Sequence, residues 1–138
     1  MEKKELVAKA IKAREAAYAP YSDFMVGAAL LTEEGKVYTG CNIENAAYTP
    51  CCCAERTAFF KAVSEGKRHF QAIAIAGGPK EKGVADFTAP CGVCRQVMAE
   101  FCDSRKFKVI LCNAAQETKE FTLSELFPMG FGPGDLTV

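Results

Sequence analysis

Cysteine is the residue type with the clearest chemistry in this sequence, and three cysteines fall in two short motifs, Cys53–Glu55 and Pro90–Cys94. Both motifs lie at predicted helix starts, where the positive end of the helix dipole and its free amides favour thiolates. Cys91 and Cys94 are three positions apart, so they share one face of a helix. If the two helix starts meet beside a sheet, three thiolates converge on one tetrahedral metal ion. The fourth position then stays open for water, as in catalytic zinc sites.

An acidic residue accompanies the first motif. Glu55 follows Cys53 by two positions, which is too close for a second ligand but suits a carboxylate that faces a metal-bound water. Zinc makes such a water acidic at neutral pH, and a nearby carboxylate can move its proton. A ligand-x-Glu motif followed by Pro-Cys-x-x-Cys is the signature of the zinc-dependent deaminases. The two motifs together are therefore far more specific than a single Cys-x-x-Cys.

The other cysteines leave one structural alternative open. A closed, non-catalytic zinc site needs a fourth protein ligand, which Cys41, Cys51 or Cys52 could supply. That arrangement gives the nearby carboxylate no role, so we favour the open site and assign Cys51 and Cys52 no catalytic function. Cys102 and Cys112 fall in a predicted helix and a predicted strand, and we expect them to be ordinary buried residues.

The composition favours one cytoplasmic enzyme domain spanning residues 1–138. Its 17 basic and 17 acidic residues cancel, and this balance argues against a nucleic-acid polymer as partner. No apolar run is long enough to cross a membrane, and Met1–Glu5 lacks the apolar core of a signal peptide. In a reducing compartment, the eight cysteines indicate metal binding or catalysis rather than a disulfide framework.

The hydrophobic pattern alternates between helical and strand periods along the chain. It predicts helices over residues 2–18, 53–65, 91–103 and 124–127, and strands over 25–31, 36–41, 72–76, 109–112 and 119–122. Alternating strands and helices indicate an α/β fold with some parallel pairing. A hairpin turn at Glu34-Gly35 joins the first two strands, so we expect the sheet to be mixed.

Beyond the cysteine motifs, the sequence resembles the small homotetrameric cytidine deaminases from Tyr18 to Phe131. The resemblance is carried by several motifs in the family's order: Tyr18–Ser22, Phe24–Ala29, Gly40–Ala46, Cys53–Ala58 and Pro90–Gln96. It implies a three-layer α/β/α sandwich around a five-stranded mixed sheet. It also implies hydrolytic deamination of free cytidine and deoxycytidine in pyrimidine salvage, with one Zn²⁺ per chain.

The same resemblance implies roles for the residues of the metal centre. Cys53, Cys91 and Cys94 would hold the zinc, and Glu55 would be the catalytic proton shuttle. Three thiolates on a divalent ion leave a net negative centre, which makes the bound water less acidic. Arg56 would hydrogen-bond the thiolates and withdraw part of this charge.

The substrate-binding residues implied by the resemblance come from several parts of the chain. Phe24 would pack on the base, the backbone of Ala54 would contact the pyrimidine ring, and Asn42 and Glu44 would bind the ribose hydroxyls. The neighbouring subunit's site would be completed by Ala46, Tyr48 and Phe131. A homotetramer with shared sites would then be needed for activity.

Simpler interpretations exist for these polar and aromatic residues. Phe24 and Phe131 suit a core or an interface, Asn42 and Glu44 suit a turn, and Arg56 suits an exposed helix face. Only the resemblance raises Phe24 and Phe131 above these interpretations, and it also favours Asn42 and Glu44. Arg56 has in addition a physical reason to lie at the site, because three thiolates on a divalent zinc leave a negative charge to offset.

Three other functions stand beside cytidine deamination. One is a deaminase of the same fold acting on blasticidin S, a nucleotide or guanine, although a carboxylate at the sugar would repel a phosphate. Another is a polynucleotide editor, which needs a positive groove and stacking platforms; the zero net charge and the absence of Trp disfavour it. The last is a non-enzymatic zinc module.

Overall fold

Five strands form one mixed sheet in the computed structural model, which describes residues 1–136. The strands are β1 Phe24–Thr32, β2 Val37–Cys41, β3 Phe70–Pro79, β4 Lys108–Cys112 and β5 Thr118–Thr122. Their order is β2-β1-β3-β4-β5, with β3 and β4 parallel and the other neighbours antiparallel. The mixed five-stranded sheet predicted above is therefore confirmed. The last two residues of the predicted domain 1–138 lie outside the described residues.

Helices cover both faces of this sheet. They are α1 Lys3–Arg14, α2 Ala54–Ser64, α3 Gly92–Phe101 and α4 Leu123–Leu126, followed by a 3-10 turn at Pro133–Asp135. Helix α1 packs on one face against a core rich in alanine, whereas α2, α3 and α4 pack on the other. That second core is filled by large side chains, among them Phe59, Phe70, Phe107 and Met98. No helix within residues 1–136 combines the length and apolarity of a membrane span.

The chain direction places two helix N-termini at the same end of the sheet. Helix α2 follows the end of β2, and α3 follows the end of β3, before the parallel strand β4. Gly40 of β2 lets α2 approach closely, because a Cβ atom there would clash with the carbonyl of Ala54. Ligands of α/β sheets bind outside the carboxyl ends of the strands. The two cysteine motifs lie at this end.

Two predicted elements differ from the structure by more than two residues at one end. The first helix ends at Arg14 rather than at residue 18. The backbone of Tyr18 instead donates to Asn42 O (2.9 Å) and accepts from the Glu44 N–H (2.8 Å), so this segment supports the following loop. The third strand extends beyond residues 72–76 in both directions. Gly77 and Gly78 stay in it because they pair with Val26 and Met25 of β1.

Candidate active site and metal centre

Three thiols from two helix starts form the cluster that the motifs predict. Cys53 is the N-cap of α2, Cys91 is the N-cap of α3, and Cys94 lies in the first turn of α3. Their three Sγ atoms all lie within 4.8 Å of one another, and those of Cys53 and Cys91 are 3.7 Å apart. Cys94 is buried, Cys53 is half-buried and Cys91 is exposed. The cluster is therefore open to the surface on one side.

The spacing of the sulfur atoms fits a tetrahedral ion. Zinc–sulfur bonds of about 2.3 Å in tetrahedral geometry separate two ligand sulfurs by about 3.8 Å. The separation of 3.7 Å between Cys53 and Cys91 matches this value. Three thiols supply three ligands, which leaves the fourth position for a water molecule or a substrate.

The protonation of the thiols also indicates that the cluster is a cation site. The pKa of Cys53 is lowered to about 5, because Cys94 donates a hydrogen bond to it and the Arg56 guanidinium also hydrogen-bonds it. The pKa of Cys94 is raised, because its thiol donates to Cys53 and because it is buried beside negative groups. Cys94 thus keeps its proton beside the Cys53 thiolate, and a cation between the two sulfurs would favour the ionised form of both. The cluster thus has the chemistry of a cation site.

Arg56 contacts the cluster from the first turn of α2. Its Nη2 atom lies 3.5 Å from Cys53 Sγ and 3.5 Å from the carbonyl oxygen of Cys51, both long hydrogen bonds. The hydrogen bond to Cys53 is the main cause of the raised pKa of Arg56, and Cys94 acts in the same direction, so the guanidinium stays charged beside the thiolate. Its Nε atom is buried and has no hydrogen-bond partner among residues 1–136. Arg56 is therefore not a free surface residue, since it contacts the predicted metal ligand Cys53.

Glu55 is buried in the first turn of α2, with only 4% of its surface exposed. Burial raises the pKa of its carboxyl to about 7, and the negative charge of Cys53 acts in the same direction. Its own backbone N–H and Arg56 act against this rise, but more weakly. A carboxyl with a pKa near neutrality can both release and take up a proton at pH 7, which suits a general acid and base.

Asn42 extends the sheet with its side chain at the end of β2. Its Oδ1 atom accepts from the backbone N–H of Val26 (2.8 Å), and its Nδ2 atom donates to the carbonyl of Phe24 (2.8 Å). The amide side chain thus replaces a peptide group beside the first residues of β1. One N–H of the Asn42 amide remains for another acceptor.

Glu44 is held by the segment that precedes β1. Its Oε1 atom accepts from the backbone N–H groups of Tyr21 (2.9 Å) and Ser22 (3.1 Å), and its Oε2 atom accepts from the Ser22 hydroxyl. The hydroxyl of Ser22 is the main cause of the lowered pKa of Glu44. The carboxylate is therefore charged and fixed in direction.

A cavity of about 400 Å³ lies beside the thiols. Five of its lining residues are among the predicted site residues, namely Asn42, Glu44, Tyr48, Cys53 and Arg56. The structure thus places the predicted ribose-binding residues and one predicted metal ligand, Cys53, in one concave surface, whereas Cys91, Cys94 and Glu55 are not among its lining residues. Pockets of this size suit small molecules.

The remaining predicted substrate contacts lie outside this lining. Phe24 begins β1 and is 38% exposed, and Phe131 is 56% exposed in the segment after α4. Ala46 is exposed in the loop after β2. Ala54 is fully buried at the start of α2, so only its backbone can face a ligand. The structure does not bring these four residues into the cavity of a single chain.

Five lining residues, among them Ile43, were not predicted as site residues. Tyr21 and Ser22 orient Glu44, and both stand in the Tyr18–Ser22 motif, so the sequence did carry a signal for them. Cys51 and Cys52 also line the cavity. The Cys51 thiol accepts from the N–H of Asn45 (3.2 Å) and donates to its carbonyl (3.7 Å), which holds the loop after β2 against the start of α2.

Comparison with known proteins identifies the family. A family model described as "Cytidine and deoxycytidylate deaminase zinc-binding region" matches residues 1–111, most of the chain. The chain belongs to this family. Within the family, a zinc ion is the cofactor, and the thiol cluster supplies a donor set that fits one such ion.

The chain is similar to cytidine deaminases of other organisms over almost its whole length, both in sequence and in structure. The chain is 50% identical over 137 residues to a cytidine deaminase of Sporosarcina psychrophila, covering 99% of this chain and 96% of that protein. It is also 50% identical to a cytidine deaminase of Halalkalibacterium halodurans, with 99% and 98% coverage. The crystal structure of cytidine deaminase from Burkholderia pseudomallei superposes with a TM-score of 0.87 at 46% identity, covering 95% of this chain and 100% of that one. The fold and family inferred from the sequence are confirmed.

Proposed function

We propose that this chain is a zinc-dependent enzyme that hydrolyses free cytidine and deoxycytidine to uridine and deoxyuridine, releasing ammonia, as a step of pyrimidine salvage. The observation that carries the proposal is the buried carboxyl of Glu55, next to the helix start where three thiols converge. A carboxyl with a pKa of about 7 beside a cation site supports hydrolysis rather than a closed structural site.

The metal would be held by Cys53, Cys91 and Cys94, and Arg56 would offset part of the thiolate charge through its contact with Cys53. When bound, zinc supplies a Lewis acid that makes a water molecule acidic enough to act as a nucleophile at neutral pH. The open side of the cluster, where Cys91 is exposed, gives the substrate access.

Glu55 performs the proton transfers of the reaction. Its carboxylate takes a proton from the attacking water and delivers it to N3 of the pyrimidine ring, which makes C4 a better electrophile. After the water oxygen has added to C4, Glu55 takes the proton of the new C4 hydroxyl and passes it to the amino group, which leaves as ammonia while C4 becomes a carbonyl. Burial raises the pKa of Glu55 to about 7 in the metal-free chain, which suits a group that alternately takes up and releases a proton.

Asn42 and Glu44 favour a nucleoside with a free sugar. A carboxylate has about four acceptor positions, and the contacts from Tyr21 and Ser22 occupy three of them in Glu44. One position remains for a ribose hydroxyl, beside the free N–H of Asn42. The charge of Glu44 would repel a phosphate on the sugar, so nucleotides such as CMP should be poor substrates.

We also infer that the active unit is a homotetramer with sites shared between subunits. Tyr48 is 70% exposed and Phe131 is 56% exposed, and Phe24 at the start of β1 and Ala46 in the loop after β2 are also exposed. Exposed aromatic residues are enriched in protein interfaces. Ala46, Tyr48 and Phe131 would reach the site of the neighbouring subunit, which explains why Ala46 and Phe131 lie outside the cavity of their own chain.

The test of the proposed activity is the change in ultraviolet absorbance of cytidine incubated with purified protein of measured zinc content, with Glu55→Ala as the control. We expect turnover of cytidine and deoxycytidine by the wild type alone, and one zinc per chain. Bound zinc without turnover of either nucleoside would refute the proposal and favour another amine substrate or a structural metal. A rate on CMP equal to that on cytidine would refute the role of Glu44.

The test of the assembly is the molar mass in solution at assay concentration, measured by light scattering. We expect the mass of four chains, and loss of activity when the protein is diluted until the tetramer dissociates. A fully active monomer would contradict the shared site.

A further inference from the structure

Cys91 occupies the least protected position of the thiol cluster. It is exposed, and it ends the long connecting segment 80–91 between β3 and α3. Its N-cap position carries no side-chain capping hydrogen bond. Since a metal ligand has to be held close to its productive position, other contacts must fix the backbone at this point.

The side chain of Arg95 makes such a contact. Its Nε atom donates to the carbonyl oxygen of Pro90 at 2.8 Å, directly before Cys91 in the chain. Proline has no N–H group, so its carbonyl is the backbone group through which this residue can be held. The backbone N–H of Arg95 also donates to the carbonyl of Cys91 at 3.0 Å. The Arg95 side chain therefore holds the carbonyl directly before Cys91, while the carbonyl of Cys91 itself is held by a backbone helix bond that does not depend on the side chain.

The same guanidinium reaches a rigid part of the molecule. Its Nη1 atom donates to the carbonyl of Leu126 at 2.6 Å, at the end of α4. Helix α4 is anchored in the core by Leu123, which is fully buried, and its start is closed by a capping box of Thr122 and Glu125. Arg95 thus connects the end of the segment 80–91 to helix α4, which is anchored in the core.

We propose that Arg95 is a positioning residue for the metal site: by bridging Pro90 and Leu126, it holds Cys91 in the place where its sulfur can bind zinc. This proposal rests on the proposed function only in taking Cys91 as a zinc ligand. Loss of an outer partner of a metal ligand typically weakens metal binding 10-fold to 100-fold. Removal of the bridge should therefore speed zinc release.

A neighbouring residue separates this role from simple docking of the C-terminal segment. Gln96, also on α3, donates from Nε2 to the carbonyl of Phe131 at 2.8 Å, and its side chain makes no hydrogen bond to Pro90 within residues 1–136. If Arg95 acted only by docking the segment after α4, loss of the Gln96 bond would have the same consequence as loss of the Arg95 bonds. If Arg95 positions Cys91, loss of the Arg95 bonds should speed zinc release, whereas loss of the Gln96 bond should not.

The experiment compares zinc-loaded wild type with Arg95→Met, Arg95→Lys, Gln96→Met and Ile110→Ala. The rate of zinc transfer to an excess of a coloured chelator is measured at fixed pH. Arg95→Met removes the hydrogen bonds and keeps the aliphatic bulk, whereas Arg95→Lys keeps one charged donor. Ile110 is buried on the opposite face of the sheet, so Ile110→Ala destabilises the fold without touching the site.

We expect zinc release about 10-fold or more faster in Arg95→Met, an intermediate rate in Arg95→Lys, and rates within about 2-fold of wild type in the other two variants. Release from Arg95→Met at the wild-type rate would overturn the proposal. Equally fast release from Gln96→Met or from Ile110→Ala would also overturn it, since segment docking or general destabilisation would then explain the effect. These rates are measured without substrate, so a failure of cytidine turnover remains a separate result.

Discussion

Two charged side chains are almost completely buried within residues 1–136. They differ in whether hydrogen bonds or the cost of burial determines their behaviour. Arg14, 8% exposed at the end of α1, donates hydrogen bonds to three carbonyls, those of Met25 (3.0 Å), Gly78 (2.8 Å) and Pro79 (2.8 Å). Glu55 lies at the start of α2 and is 4% exposed. The cost of burying its charged form raises its pKa to about 7.

This difference separates a structural charge from a chemical one. A buried charge that donates several hydrogen bonds, as Arg14 does, fixes the elements around it. A buried acid whose pKa is raised by the cost of burial keeps its proton to higher pH and can exchange it during a reaction. Arg14 joins α1 to the ends of β1 and β3, whereas Glu55 is left ready to transfer protons.

The largest expected effect concerns Glu55 and turnover. In Glu55→Gln, we expect kcat to fall about 10²–10⁴-fold, because the amide cannot accept or deliver the proton. The zinc content should stay at the wild-type value. The matched control is Glu100→Gln, an exposed carboxylate on α3, which should keep full activity. A rate of Glu55→Gln near that of the wild type would place the proton transfers on another group.

The next effect concerns Arg14 and stability. In Arg14→Met, three carbonyls lose a charged donor, and we expect the free energy of unfolding in urea to fall by about 3–4 kcal/mol. The pH dependence of kcat should not change, since Arg14 takes no part in proton transfer. Arg105→Met, at an exposed position, serves as the control and should be neutral. A shifted pH profile in Arg14→Met would break the distinction between the two buried charges.

A third prediction tests the burial of Glu55 in metal-free protein. The pKa of Glu55 in the folded state is raised from 4.5 to about 7, so protonation stabilises the fold below pH 4.5. This stabilisation is lost as the pH rises through 7. Glu55→Gln should match the wild type in unfolding free energy near pH 4.5 and exceed it by about 3 kcal/mol at pH 8, at about 1.36 kcal/mol per pH unit. The check is urea unfolding of both proteins across this range. A constant difference would show that the carboxyl is not protonated in the fold.

The smallest effect is expected for an exposed charge pair. Lys3 and Glu120 form an ion pair of 3.2 Å at the surface. Because solvent screens exposed pairs, Lys3→Met should change the unfolding free energy by no more than about 0.5 kcal/mol. A loss comparable to that of Arg14→Met would mean that burial is not what distinguishes these charges.

The sequence by itself determined the parts of the site that depend on local geometry. Cys91 and Cys94 share a face because they are three positions apart at a helix start, and Glu55 follows Cys53 within the same first turn. The alternation of helix and strand patterns likewise determined the mixed α/β sheet. The prediction was less good where tertiary contacts override local pattern, as at the end of α1 and along β3, whose glycines continue the strand by pairing with β1.

Only the tertiary structure decided which groups hold the site in place. It brought the N-terminus of α2 beside that of α3 and revealed the buried position of Arg14. It also showed that Asn42 completes the edge of the sheet and that Arg95 joins Pro90 to Leu126. The physical reason is that Arg14, Arg95 and one end of the Asn42 amide bond to backbone carbonyls. Every residue has such a carbonyl, so these partners leave no trace in the residue types, and only the folded chain shows which of them a side chain can reach.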